Sequence, residues 1–174
     1  MKPLLDQVLA RLTRDATRDF ARYWFGLRAG RAAPDRRDID PTALAPLLPK
    51  LWLWEYRPEL GDFVNRLTGG EIVAVFQRSP RGMTLGNWVP PGIAAVARPR
   101  YRRVIEEPAI CVAAGASFVT DESRAWCERV IAPMTNGGDK PSIIFGITVW
   151  EAPNFSTGAV EREETEAEFF PIAV

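Results

Sequence analysis

Three kinds of side chain in this chain could do chemistry: an arginine near a carboxylate, two cysteines, and an unusual stock of large aromatics. Arg66 could line a pocket and bind an anion, or it could pair with Glu55 across a hairpin. With the intervening turn centred on Glu59 and Leu60, Arg66 faces Leu53 and lies diagonal to Glu55 on the same face, which favours the ion pair. Cys111 and Cys127 could form a redox pair. A turn centred on Asp121 and Glu122 sets Cys111 opposite Ala132 and Cys127 opposite Ala116, which puts the two thiols on opposite faces of a sheet and argues against a disulfide. Trp52, Trp54, Phe63, Phe76, Trp88, Phe118, Phe145 and Trp150 could wall a hydrophobic cavity, with ordinary core packing as the competing explanation. The candidate ligand-binding residues drawn from these are Trp88, Arg66, Trp54, Phe63 and Phe145.

Histidine is absent. That removes a histidine phosphoacceptor, a histidine-based triad and the usual histidine-ligated zinc or haem, so neither a metal nor a cofactor is expected. Gly69-Gly70-Glu71 partly matches the Gly-Gly-acidic loop of diguanylate cyclases, and Arg37-Asp38-Ile39-Asp40 matches their short inhibitory motif. That chemistry needs two adjacent acidic groups, and Glu71 is followed by Ile72; the pair of glycines reads as a turn opening a helix. No pair of carboxylates has spacing that suggests acid–base catalysis, so no enzyme activity is expected.

The elements that must position these residues follow from periodicity. Leu5, Val8, Leu9, Leu12, Ala16, Phe20, Trp24 and Leu27 predict one amphipathic helix over about residues 4–29, with Gly30 as its stop. Arg11, Arg14, Arg18 and Arg22 form a neighbouring stripe that reads as a solvated face, and no second helix presents base-reading side chains, so nucleic acid is not expected as a partner. Asp40-Pro41 predicts an N-cap and first turn of a short helix running to Leu48, with Pro49 ending it. Residues 51–57 and 62–68 predict a hairpin. A helical insert with turns at 79–82 and 90–92 and a helix over 93–107, containing Pro99, comes next. Strands are predicted over 109–119, 125–133 and 142–150. The first strand is apolar on both faces and must be covered on both, by the insert on one side and the N-terminal helix on the other.

At 174 residues, 47% hydrophobic and 25% charged, the chain has the size and composition of one globular domain. Its 22 basic and 22 acidic residues cancel, and 19 of the basic residues are arginine. No run of 18 apolar residues predicts a membrane span, and Asp6 interrupts any signal-peptide core, so a cytoplasmic location with reduced thiols is expected. Residues 161–168 hold five glutamates and read as a disordered acidic tail, and Phe169-Phe170-Pro171-Ile172 after them could dock on this domain or a partner.

Trp24, the run Pro34-Asp35-Arg36-Arg37-Asp38-Ile39-Asp40-Pro41, Leu47-Leu48-Pro49, Arg66-Leu67-Thr68-Gly69 and Gly82 occur in a fixed order. That order, over about residues 19–150, resembles a bacterial family of compact PAS-like sensory domains. The resemblance implies an α+β fold: a five-stranded antiparallel sheet with a helical insert and an N-terminal helix. It implies three segments, a helix at 1–18, a PAS-like domain at 19–152 and an acidic tail at 153–174. It also implies a sensory or regulatory module without its own output domain, binding an unknown small molecule or protein partner. Trp88 becomes the best pocket candidate, because Gly86-Asn87-Trp88 lies in the insert where PAS domains open to ligands. The light-sensing subclass carries a cysteine in an Asn-Cys-Arg-Phe-Leu-Gln run, which this chain lacks. A homodimer through the apolar positions Leu5, Val8, Leu9 and Leu12 is expected, with a fold-back of that segment near Thr13 as the competing outcome. A small enzyme using Asp, Glu and Arg chemistry, and a structural interaction protein with a filled core, are the alternative functions.

Overall fold

The computed structural model describes residues 2–120, 123–151 and 167–173. The acidic run 161–166 and the side chain of Phe118 lie outside them. Helices α1 (Leu4–Leu9) and α2 (Asp15–Arg28) precede strands β1 (Leu51–Arg57) and β2 (Asp62–Thr68). The insert carries α3 (Gly70–Phe76), α4 (Leu85–Trp88) and α5 (Pro91–Glu106). Strands β3 (Ala109–Thr120), β4 (Ser123–Met134), β5 (Ile143–Trp150) and β6 (Glu168–Pro171) complete one sheet ordered β2-β1-β5-β4-β3-β6. All its pairings are antiparallel. The five expected strands are present; the sixth comes from the C-terminal segment assigned to the tail, with Phe170 opposite Ile110.

Two cores flank the sheet, and β1 feeds both. Leu51 and Leu53 join Phe20, Trp24, Leu44, Phe145 and Ile147 on the side of α2. Trp52 and Trp54 join Ile72, Leu85, Trp88, Tyr101 and Val104 on the side of the insert. The alternation in β1 therefore sorts leucine to one layer and tryptophan to the other.

The single long helix expected over residues 4–29 is broken. Its breaker is Glu128 of β4, which is only 1% exposed. The carboxylate accepts from Thr13 N at 2.9 Å, Thr13 Oγ1 at 2.7 Å and Arg14 N at 3.1 Å, and also from Thr17 Oγ1. Arg14, at the N-cap of α2, supplies no side-chain cap of its own. A carboxylate from a distant strand thus satisfies the amides of the corner, including that of the N-cap residue Arg14. Beyond this corner α1 folds back, and Val8 and Leu12 are buried with Phe20, Phe170 and Ile172. Of the four apolar positions expected to carry a homodimer, Val8 and Leu12 are buried by the chain itself, and Leu5 and Leu9 are half-buried against the same core. The arginine stripe is engaged too: Arg11 pairs with Glu168, Arg14 with Glu151 and Arg22 with Asp19, while Arg18 donates to Leu12 O.

The helix expected from Pro41 to Leu48 is also absent. Residues 41–47 form successive turns followed by a 3-10 turn at Leu48–Lys50. Pro46 lacks an N–H and crowds the preceding turn, which works against a helix over so short a segment, whereas the 16-residue α5 carries Pro99 within it. Asp40 Oδ1 instead accepts from Thr42 N at 2.8 Å, closing a local turn. Gly69 packs against this segment so closely that a Cβ would sit 2.3 Å from the carbonyl oxygens of Leu48 and Pro49.

Candidate functional site

The insert does not close flush on the sheet. Between them lies a cavity of about 90 Å³. Its floor is Trp52 and Trp54 of β1, Ser117 of β3, Arg129 of β4, and Thr148 and Trp150 of β5; its roof includes Ile72, Phe76, Trp88, Val89, Ile93, Ala97 and Tyr101.

Register explains the floor. Trp52 lies opposite Gly146, and Arg129 opposite Thr148, so all of these positions share one face. The Trp52 ring crosses Gly146 so closely that a Cβ there would lie 2.2 Å from Cζ2 of the indole. From that position Trp52 Nε1 donates to Thr148 Oγ1 at 2.9 Å. Arg129 Nε donates to the same hydroxyl at 3.2 Å, and another of its nitrogens donates to Ser117 Oγ at 3.2 Å. The Trp150 Nε1–H is buried and has no hydrogen-bond partner among the described residues.

The roof is fastened at two points. Asp62 of β2 takes a bidentate pair from Arg98 of α5, at 3.0 and 3.1 Å, and accepts from Gly86 N at 3.0 Å. Burial pushes the Asp62 carboxyl up, but these bonds and one from Phe63 N outweigh it, and the group titrates below its ordinary range. The second fastening is Arg78, whose guanidinium lies 4.4 Å from the Trp88 ring centroid and donates to Trp88 O. Phe76 then contacts both Trp88 and Trp150, at 5.1 and 6.1 Å between ring centroids.

Of the candidate ligand-binding residues, Trp88 and Trp54 line the cavity. Phe63 is buried in the same aromatic cluster, 5.6 Å from Tyr101, but behind the wall. Phe145 lies on the opposite face, 5.0 Å from Phe20, because it pairs with Leu53 and shares its side of the sheet. Arg66 lies at an irregularity in the β1–β2 register and donates to Glu55 Oε2 at 2.7 Å, the ion pair expected of it. The polar floor residues Ser117, Arg129 and Thr148 were not singled out from the sequence; an arginine whose same-face neighbours Cys127 and Ile131 are apolar was the available signal.

The cysteine register differs from expectation. An irregularity between Phe118 and Thr120 shifts the ladder by one, so Cys111 faces Ile131 and Cys127 faces Gly115. Both thiols therefore lie on the insert side. They remain four positions apart along the strand, about 13 Å, beyond the reach of a disulfide.

Comparison with known proteins agrees with this architecture. A family model described as "PAS domain" matches residues 12–149. No curated protein matches the chain. Among solved structures, a light-oxygen-voltage domain studied with a flavin analogue is similar, with 12% identity and a TM-score of 0.46 over 66% of this chain and 85% of that one. The family model spans most of the chain, from the α1–α2 corner to the end of β5, and the chain belongs to the PAS domain family.

Proposed function

We propose that this PAS domain is a sensory or regulatory module that takes a small ligand between sheet and insert and reports it through the N-terminal helices. One observation carries the reading: a cavity walled by aromatic side chains of both layers, with hydrogen-bonding groups on its floor. Ligand sites have this composition, few polar groups in an apolar wall. Its 90 Å³ is well below the several hundred Å³ of a typical drug-sized site, so the ligand is a molecule of a few heavy atoms. A route outward also exists. Arg129 lies on the cavity side of β4, and its neighbour Glu128 holds the α1–α2 corner on the other side.

The enzyme alternative gains no support at this site. The carboxylates whose titration is clearly displaced, Asp35, Asp38, Glu59 and Asp62, have arginine partners and lie outside the cavity. The small volume favours the filled-core interaction domain as the second reading. Native mass spectrometry of freshly purified protein separates the two: a retained adduct above the 19.4 kDa chain supports the sensor. A bare chain, unchanged by a library of small apolar molecules, supports the filled core.

A further inference from the structure

The floor of the cavity has a chemical polarity. Thr148 is 3% exposed, and its hydroxyl oxygen accepts from both Trp52 Nε1 and Arg129 Nε. Those two bonds use both lone pairs of the oxygen, so Thr148 has only its hydrogen left to offer. No acceptor for that hydrogen occurs among the described residues. Ser117 accepts from Arg129 and likewise has a hydroxyl hydrogen to give. Trp150 is a donor by chemistry, and its buried Nε1–H is unmet. A buried donor left unpaired carries a desolvation penalty that an arriving acceptor would relieve. The roof offers aliphatic and aromatic carbon from Ile72, Phe76, Val89 and Ile93.

We propose that the cavity selects a small apolar molecule ending in a carbonyl or carboxylate oxygen, seated against the Thr148 hydroxyl and the Trp150 indole N–H. This rests on the ligand-binding reading above. It specifies the ligand's class: a pure hydrocarbon leaves the floor's donors unpaired and binds more weakly, and an ammonium is rejected because donors face donors. A cavity of roughly 150 Å³ accepts the six heavy atoms of benzene, so on the same scale this one suits about four.

Acetone and isobutane form a matched pair for the test, with isopropylamine as the donor control and acetate as the anionic acceptor. The chain has six tryptophans, so a nitrogen–proton correlation spectrum has six indole signals, and Trp150→Phe identifies the one that belongs to Trp150. In the unaltered protein, acetone or acetate should saturably shift the Trp150 indole signal, and isopropylamine should not bind. Thr148→Val should weaken acetone about fivefold, the value of one neutral hydrogen bond, and change isobutane less than twofold. Isobutane binding with the same loss in Thr148→Val, or acetone binding without movement of the Trp150 signal, overturns the acceptor class while leaving a ligand cavity standing. Failure of all four probes to bind removes the cavity reading as well. The indole shift is read on the unaltered protein, so it decides the matter even if Thr148→Val does not fold.

Discussion

Gly146 and Gly69 are both short of room, and they differ in what fills the space. A Cβ at Gly146 meets the Trp52 ring, a side chain that can swing toward the cavity. A Cβ at Gly69 meets two backbone carbonyls held by the Leu48–Lys50 turn. Gly146→Ala should therefore cost about 1–3 kcal/mol, the usual range for overpacking, and Gly69→Ala more. Urea midpoints of the two variants check the order; a neutral Gly69→Ala would contradict it. Asp35 gives the second residue-scale prediction. Its carboxyl accepts from Arg37 Nε at 2.7 Å, Arg37 N at 2.9 Å, Gly137 N at 2.6 Å and Thr135 Oγ1 at 3.0 Å. The Arg37 guanidinium above all, then the backbone amides of Arg37 and Gly137, hold it well below the usual carboxylate range. A carboxylate depressed in the folded state adds stability that is complete above its unfolded value, near 3.9, and lost as pH falls toward the folded value. The wild type should lose stability below about pH 4, and Asp35→Asn should be less stable at pH 7 with a shallower acid slope. Parallel acid slopes in the two proteins would show that Asp35 is not responsible. At this scale the sequence was readable where partners are near in the chain. Arg66 and Glu55 belong to one tight hairpin, so their pairing follows from counting. Asp35 and Gly137 are joined only by the fold, and Gly146 looked like any strand glycine until Trp52 was seen to cross it.

At the scale of elements, legibility depended on how many faces a strand hides. In β1, leucine and tryptophan alternate and announce two layers. In β5, Ile143, Ile144, Phe145 and Ile147 are all fully or nearly buried, so apolar character cannot say which side Phe145 takes. Pattern also missed both interruptions: the prolines that deny residues 41–48 a helix, and the ladder irregularity that reassigned the cysteines. Strand β6 is the element the sequence signalled least, four residues after an acidic run. It pairs with Ala109 to Val112 of β3, and Phe170 and Ile172 enter the core beside α1. A chain ending at Glu151 exposes that stretch of β3 as an edge and strips cover from Val8 and Leu12. An uncovered edge is a template for strand pairing between molecules. Truncation after Glu151 should lower the melting temperature and produce concentration-dependent association in light scattering. An equally stable, monodisperse truncated chain would mean that β6 contributes no cover.

Across the whole molecule, the parts that order a sequence motif turn out to be fastenings between layers. The Pro34-to-Pro41 run ties the approach to β1 onto the β4–β5 connection through Asp35, Thr135 and Gly137. Asp62 and Arg98 tie the insert to the far edge. Glu128 ties the N-terminal corner to the middle of the sheet. Removing a carboxylate that serves four donors leaves them unpaired in a buried place, so Glu128→Ala should cost about 3 kcal/mol or more. The loss should concentrate in α1 and the start of α2; chemical denaturation gives its size, and a variant as stable as wild type would deny the corner its role. Among the described residues no helix is long and apolar enough to cross a membrane. The Glu128 corner also changes what can be timed. Thr13 N–H and Arg14 N–H are held by a side chain more than a hundred residues away, one position along β4 from the Arg129 side chain at the cavity floor. Their rate of deuterium uptake therefore clocks how often the sheet lets go of the N-terminal helices, and a cavity filled from the other side of β4 should slow or quicken those two amides before any global change in shape is seen.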